Sequence, residues 1–410
     1  MRISTNTIYD MGVAGIQQTT SDLIKTQQQV SSGRRILTPS DDPVASARVL
    51  EVSQSQSLNK QYDTNTGSAT SSLGLEESIL GSVGNLIQDV RTAAIQAANS
   101  PLSDQDRASI AMDLRGRYQE LLGLANSTDG NGQYMFSGYK GMTKPFVETS
   151  LGNVTYQGDQ GQRLIQISPS RQMAVSDSGA SVFQQIKNGN GTIVGSAAAA
   201  NTGSGVIDPA TVTNLADANL RQSVTIVFDP LIPPATLPTT FTVTGTGIPG
   251  SPLQVPYTSG STIGPYNGWS TSIKGEPKAG DTFTIQPSSN VDMFKTLSDL
   301  ITQLETPIQG GGAGATAKLA NGINTAIQNF DQSLQNVLTV RASVGSRMKE
   351  VDSVKSTGED LQLQYQQTIS TLQDLDYAKA ITDLTRQQTM LEAAQMSFTK
   401  VQGLSLFNYM

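Results

Sequence analysis

Cysteine and histidine are both absent from this 410-residue chain. Without histidine there is no Ser-His-Asp or Cys-His relay and no His-ligated metal, and without cysteine there is no thiolate nucleophile and no disulfide. Carboxylate, lysine, tyrosine or Ser-Lys chemistry is all that remains. The sequence has no GxxxxGK[ST] and no GxSxG. The expectation is a protein that is not an enzyme and needs no metal and no cofactor. No apolar run reaches the length of a membrane span, and no basic block stands out against a formal net charge of -7, so neither a membrane nor nucleic acid is expected as partner. Met1–Tyr9 is not followed by the apolar stretch of a cleaved signal peptide. The chain is therefore expected to stay in the cytosol or to leave by a route that needs no cleaved signal.

Proline is missing where it would break helices. Eleven of the 17 prolines lie between Pro209 and Pro287, none lies between Pro43 and Pro101, and none follows Pro307. Long helices are thus allowed at both ends and disfavoured in the middle. Tyr9, Ile16, Leu23 and Val30 recur every seven residues among Gln, Ser and Thr, which predicts a helix with one narrow apolar stripe that stops near Gly33. Asp42 can cap and Pro43 suits the first turn of a second helix running to about Asn99. Its second half places Leu73, Leu80, Ile87 and Ala94, with Val83, Val90 and Ala97, at a and d spacing. Ser103 and Asp106 form a capping box with Asp in place of Glu, and a third helix follows through Ile110, Leu114, Tyr118, Leu121 and Ala125.

Turn chemistry at Asp129–Gly132 then ends the helical texture. Tyr134–Phe136, Val154–Tyr156 and Leu164–Ile167 read as short strands, with Gly158–Gly161 as a hairpin turn between the last two. From about Gly189 to Asn290 the chain is poor in charge and rich in Thr, Gly, Ser and Pro. Val224–Phe228, Phe241–Thr244 and Thr282–Ile285 are strand-like, and the lone Trp269 is expected in the core or at a strand edge. Helix returns near Val291, with Met293, Leu297, Leu300, Ile301 and Leu304 at helical spacing. Beyond Gly310–Gly312, one or two long helices carry a second seven-residue stripe of Tyr377, Leu384, Leu391 and Phe398, flanked by Ala380, Ala394 and Val401.

The fold class that follows is α+β: an elongated rod of long terminal helices, packed as a coiled coil or bundle, with β-hairpins and an inserted all-β domain. The expected division is 1–40 with 370–410 as paired terminal helices, 41–188 with 291–369 as a helical bundle with hairpins, and 189–290 as the insert. Stripes at both termini point to an intermolecular coiled coil, which makes Tyr9, Ile16, Leu23, Val30, Tyr377, Leu384, Leu391, Phe398 and Val401 the candidate assembly interface. Asp41–Asp42 reads as capping, not catalysis, and Arg34–Arg35 as a solvated pair after a helix end. So few large apolar groups on two narrow stripes make a lone terminal pair marginal, so both termini are expected to become helical only on assembly.

The run Gln29–Ala47 (QVSSGRRILTPSDDPVASA) resembles the N-terminal region of flagellins and their hook-associated relatives. Arg341–Arg347 (RASVGSR) and Asp383–Arg386 (DLTR) resemble the flagellin C-terminal region. Within that superfamily three features are similar to the hook–filament junction subunits. Ser40–Ala45 (SDDPVA) stands where filament flagellins carry a KDDAAG-type run. Asn131–Gly138 (NGQYMFSG) is followed by Pro145-Phe146 and Tyr156–Asp159. The chain closes on Gly403–Met410 (GLSLFNYM). The resemblance implies that the terminal helices form an inner tube of the bacterial flagellum, the next bundle its outer wall, and that the insert faces outward. Implied partners are the first junction protein on the hook side, flagellin, copies of itself, an export chaperone and the type III export apparatus, with a final place outside the cell. Two other readings stay open: a filament flagellin, and a surface binding module acting through the insert.

Overall fold

The computed structural model describes residues 5–98, 102–230 and 237–407. The expected helix end at Asn99 and the last three residues of the closing run Gly403–Met410 lie outside them. Two compact units are present, residues 1–65 with 353–410 and residues 66–352.

Among the described residues six α-helices span Thr5–Ser32 (α1), Pro43–Ala97 (α2), Asp104–Ala125 (α3), Met293–Glu305 (α4), Gly312–Gln373 (α5) and Tyr377–Phe407 (α6). The start and stop signals act as the sequence implies. Gly33 takes φ 70° and donates its N–H to Gln29 O at 2.9 Å, the left-handed end that a residue without Cβ adopts at no cost. Asp42 Oδ1 accepts the Ala45 N–H at 3.0 Å and caps α2, which runs on without a break at Gly67. Ser103 and Asp106 form the reciprocal box on α3. Asp292 caps α4 through the N–H groups of Phe294 and Lys295.

In the larger unit the a and d residues of α2, from Leu73 to Ala97, are all buried. The facing helix α5 buries Phe330, Val337, Val344 and Val351, again seven apart. Leu334 of α5 faces Gly84 of α2, and ion pairs Arg341–Glu77 (2.6 Å) and Arg91–Asp331 (2.6 Å) clamp the two helices along the seam. Helix α3 packs on α4, with Arg115 gripping Glu305 through two bonds of 2.7 and 2.8 Å.

Two small sheets follow α3. Strands Phe146–Ser150 (β1) and Asn153–Tyr156 (β2) form one antiparallel pair, and Leu164–Ser168 (β3) and Arg171–Ala174 (β4) another. Two expectations fail here. Tyr134–Phe136 is not a strand: Tyr134 makes only an isolated bridge to Thr128, while Met135 and Phe136 lie in a turn, fully buried, their backbone held by Ser127 O and by the Gly179 N–H instead of a ladder. Gly158–Gly161 does not join a hairpin, because β2 and β3 belong to different sheets. The segment is instead a clasp. Asp159 Oδ1 accepts the N–H groups of Tyr139 (2.9 Å) and Gly161 (2.8 Å), and a Cβ on Gly138, at φ 70°, would collide with that carboxylate.

A short strand pair, Ile186–Lys187 (β5) with Asn290–Val291 (β15), closes the base of the central β-rich region. Between them lie Ile193–Ala197 (β6), Val206–Ile207 (β7), Thr211–Val212 (β8), Val224–Phe228 (β9), Thr240–Gly245 (β10), Leu253–Pro256 (β11), Thr262–Tyr266 (β12), Trp269–Lys274 (β13) and Thr282–Pro287 (β14). One sheet runs β11-β10-β9-β14-β6, and a second runs β12-β13-β7 with β8 also on β13. Alternate residues of β9, β10 and β14 point into a shared core around Phe228, Phe241 and Phe283. Trp269 belongs to that core and is fully buried on β13, a strand paired on both sides. Buried Asp281 ties the loops by accepting the N–H groups of Thr202, Gly203 and Lys278 at 2.8–2.9 Å.

Candidate assembly interface

The smaller unit is organised by the Gln29–Ala47 run. Asp41 Oδ2 accepts the N–H groups of Leu37 and Thr38, both at 2.9 Å, while Oδ1 pairs with Lys25 Nζ at 2.7 Å. The Lys25 ammonium first, and then the two N–H groups, hold the Asp41 carboxyl far below the usual carboxylate range. The Asp42 carboxyl is also lowered, first by the Ala45 N–H it caps and then by Arg35. Both acids are thus used up in shaping the turn, as the sequence implies.

Arg34 and Arg35 are exposed, as expected of a solvated pair, but Arg35 is also engaged. Its guanidinium reaches Asp42 at 3.4 Å and donates to Leu372 O at 2.8 Å, and its own N–H donates to Gln373 O at 2.7 Å. Leu375 N–H returns a bond to Gly33 O at 3.0 Å, and Arg34 bridges Asp374 through the backbone. The α1–α2 turn is thereby stitched to the α5–α6 turn. Tyr377 Oη lies 2.9 Å from where a Cβ on Gly33 would stand, so a side chain there would also displace the phenol.

From that clasp α1 and α6 pack on each other. Tyr9 and Phe398 meet with ring centroids 5.2 Å apart, and Gly12 leaves room for the Phe398 ring. Ile16, Leu23 and Val30 on α1, with Leu384, Leu391 and Phe398 on α6, are half-buried. Tyr9, Tyr377 and Val401 remain 48%, 51% and 49% exposed. Among the described side chains of the two helices only Thr26 and Ala380 are buried. Sequence periodicity missed a second apolar set. Met11, Ile24, Ile381, Met390 and Met396 are exposed off the stripe, and their signal is large apolar residues out of register with a seven-residue repeat. The pair carries more apolar surface than its own seam can cover.

The Arg341–Arg347 run serves the other unit. Arg341 binds Glu77, and Arg347 binds Asp177 and the Ala174 carbonyl. Asp383 and Arg386 form an exposed pair one turn apart on α6. Among the described residues no group of three carboxylates is placed to hold a metal, and no helix is long and apolar enough to cross a membrane.

Comparison with known proteins fits this architecture. Residues 3–141 match the bacterial flagellin N-terminal helical region, and residues 327–410 match the bacterial flagellin C-terminal helical region. Flagellar hook-associated protein 3 of Salmonella typhimurium is 30% identical over 407 residues, 99% of each chain. The crystal structure of the flagellar junction protein from Legionella pneumophila is similar with a TM-score of 0.70 and 31% identity, covering 80% of this chain and all of that one. Flagellin B of Helicobacter pylori is 29% identical over only 165 residues, 39% of this chain. With both flagellin helical regions in place and a hook-associated relative matched from end to end, the chain belongs to the flagellar hook-associated protein 3 family.

Proposed function

We propose that this chain is a structural subunit of the bacterial flagellum that joins hook to filament, without catalysis, metal or cofactor. The observation that carries the reading is the unequal reach of the two likenesses. The hook-associated relative is matched over 99% of its length, whereas flagellin B is matched over 31% of its own. In this reading the first junction protein lies on the hook side, flagellin on the filament side, and copies of the chain complete the ring. The subunit passes through the type III export apparatus with a chaperone and works outside the cell.

The proposal assigns 1–40 with 370–410 to the inner tube, 41–188 with 291–369 to the tube wall and 189–290 to a surface domain. It assigns the subunit contacts to Tyr9, Ile16, Leu23, Val30, Tyr377, Leu384, Leu391, Phe398 and Val401, helped by exposed Met11, Ile24, Ile381, Met390 and Met396. Support comes from the uncovered apolar surface of the α1–α6 pair, which equivalent pairs on neighbouring copies would bury.

A strain lacking the protein should release flagellin into the medium and carry bare hooks in electron micrographs. Filaments of normal length in that strain would overturn the assignment. Removing residues 190–290 should leave filament assembly intact, and its loss would shift the function onto the insert. A fragment of about residues 185–292 should fold by itself, because its core cluster runs from Ile193 to Ile285 and the β5–β15 pair closes it. Dispersed amide signals in its NMR spectrum check this, and a random-coil spectrum refutes it.

A further inference from the structure

One carboxylate in the larger unit has no part in the assembly surface. Glu76 lies on the buried side of α2 and is fully enclosed. Its Oε1 accepts the Asp177 N–H at 2.9 Å, and its Oε2 is buried with no hydrogen-bond partner. An ionised carboxylate left with a bare oxygen in that position is costly, and the neutral acid is the cheaper state.

The surroundings sharpen this. From the segment that follows β4 comes a second acid, Asp177, only 9% exposed. It accepts Gln162 Nε2 at 2.6 Å and pairs with Arg347 of α5. Arg347 also donates to Ala174 O at 3.0 Å, at the end of β4. From the segment leading into β3 comes Arg163, which is committed elsewhere: it donates to Gln133 Oε1 at 2.6 Å and lies 3.7 Å from Asp129, with its Nε buried and unpartnered. On α2 itself Glu77 is taken by Arg341. Two enclosed acids therefore share one directly paired guanidinium, Arg347, with Arg163 acting on Glu76 only through its charge. Burial first, and the Asp177 charge second, push the Glu76 carboxyl up to about 7.

We propose that the Glu76–Asp177 carboxyl pair is a proton-operated latch that seats the β3–β4 hairpin and the segment through Ser178 on helices α2 and α5. With a proton on Glu76, the site holds one negative charge against Arg347 and the latch is closed. When that proton leaves to solvent, a second buried negative charge faces Asp177 and the seat loosens. The folded state binds more protons than the unfolded chain between the ordinary carboxyl range and about 7, so latch stability falls as pH rises through that window and levels off above it. The latch is separate from the assembly reading and holds whether or not that reading does. It would make the hairpin side of the subunit firmer in mildly acidic surroundings and looser in alkaline ones.

The test is hydrogen exchange on the full-length soluble protein across pH, corrected for intrinsic exchange. Protection of amides in residues 162–178 should fall by at least about tenfold between about pH 5 and pH 8 in the wild type. Glu76→Gln, which fixes the neutral shape, should remove that pH dependence, and Glu77→Gln should keep it. A wild-type profile without the fall, or an equal fall in Glu76→Gln, overturns the proposal. Should Glu76→Gln fail to fold, carbon-13 titration of glutamate carboxyls in the wild type decides. One resonance titrating near neutrality supports the latch, and all resonances titrating in the ordinary carboxylate range overturn it.

Discussion

Replacing Leu391 with Asp will leave the main melting transition of the soluble subunit in place and abolish its incorporation at the hook tip. Leu391 sits on α6, in the unit formed by residues 1–65 and 353–410, and is only half-buried against α1. A fully buried leucine contributes about 1.5–3 kcal/mol, and this one realises only part of that within its own chain. The main transition reports the core of residues 66–352, to which no α6 side chain belongs. In the proposed ring the same carboxylate recurs once per subunit in a closely packed apolar seam. There the penalty is the desolvation of a charge, several times larger than the lost packing. The readouts are calorimetry of the monomer and flagellin shed into the medium by cells carrying the variant. Leu391→Met should assemble. A large fall in the main transition, or normal filaments with Leu391→Asp, would show that the residue serves folding and not assembly. Hydrogen exchange adds a second view, since a seam with so few buried side chains should leave residues 5–30 and 377–401 weakly protected until subunits meet.

The parts of this molecule that sequence makes legible are those whose physics is local. Asp42, Ser103 and Asp106 act on N–H groups within three residues, so their caps can be read from spacing alone. Leu73 to Ala97 declare a buried face because a helix repeats it every seven residues. What stayed hidden depends on partners far away in the chain. Tyr134–Phe136 has the residue types of a strand, yet Phe136 is buried by Phe183 at a ring separation of 5.2 Å, in a turn that no local preference announces. Arg35 is a surface charge, and nothing near it in sequence announces that it also donates to the carbonyl of Leu372, 337 residues later. Glu76 looks like one more polar residue on a long helix, and only Asp177, 101 residues on, shows it to be enclosed. For the candidate interface, the stripe residues were legible from period, and the exposed Met11, Ile24, Ile381, Met390 and Met396 were not, because they follow none.

Phe294→Ala is expected to destabilise the larger unit by about 3–5 kcal/mol, the usual range for a fully buried phenylalanine. Phe294 opens α4 and is fully buried, with its N–H accepted by Asp292 at 2.6 Å. Its ring meets Phe146 of β1 at 5.3 Å, Phe183 at 6.1 Å and Tyr118 of α3 at 6.3 Å. One side chain therefore joins helix α4, helix α3, a β-hairpin and the turn before β5. Its loss leaves a cavity between elements that cannot all close on it, since each is fixed by its own hydrogen bonds. Phe294→Leu keeps most of the volume and should lose about 1.5 kcal/mol or less. Urea unfolding followed by far-ultraviolet circular dichroism reads the helices, and the lone Trp269 reads the β-rich core, where it lies among Ile263, Ile273 and Tyr266. Because that core holds none of the residues around Phe294, the helical transition should move to lower urea while the tryptophan transition moves less. A loss below about 1 kcal/mol would remove the aromatic cluster from the residues that hold the unit together. Equal shifts by both probes would show that the β-rich core cannot stay folded without the helices beneath it.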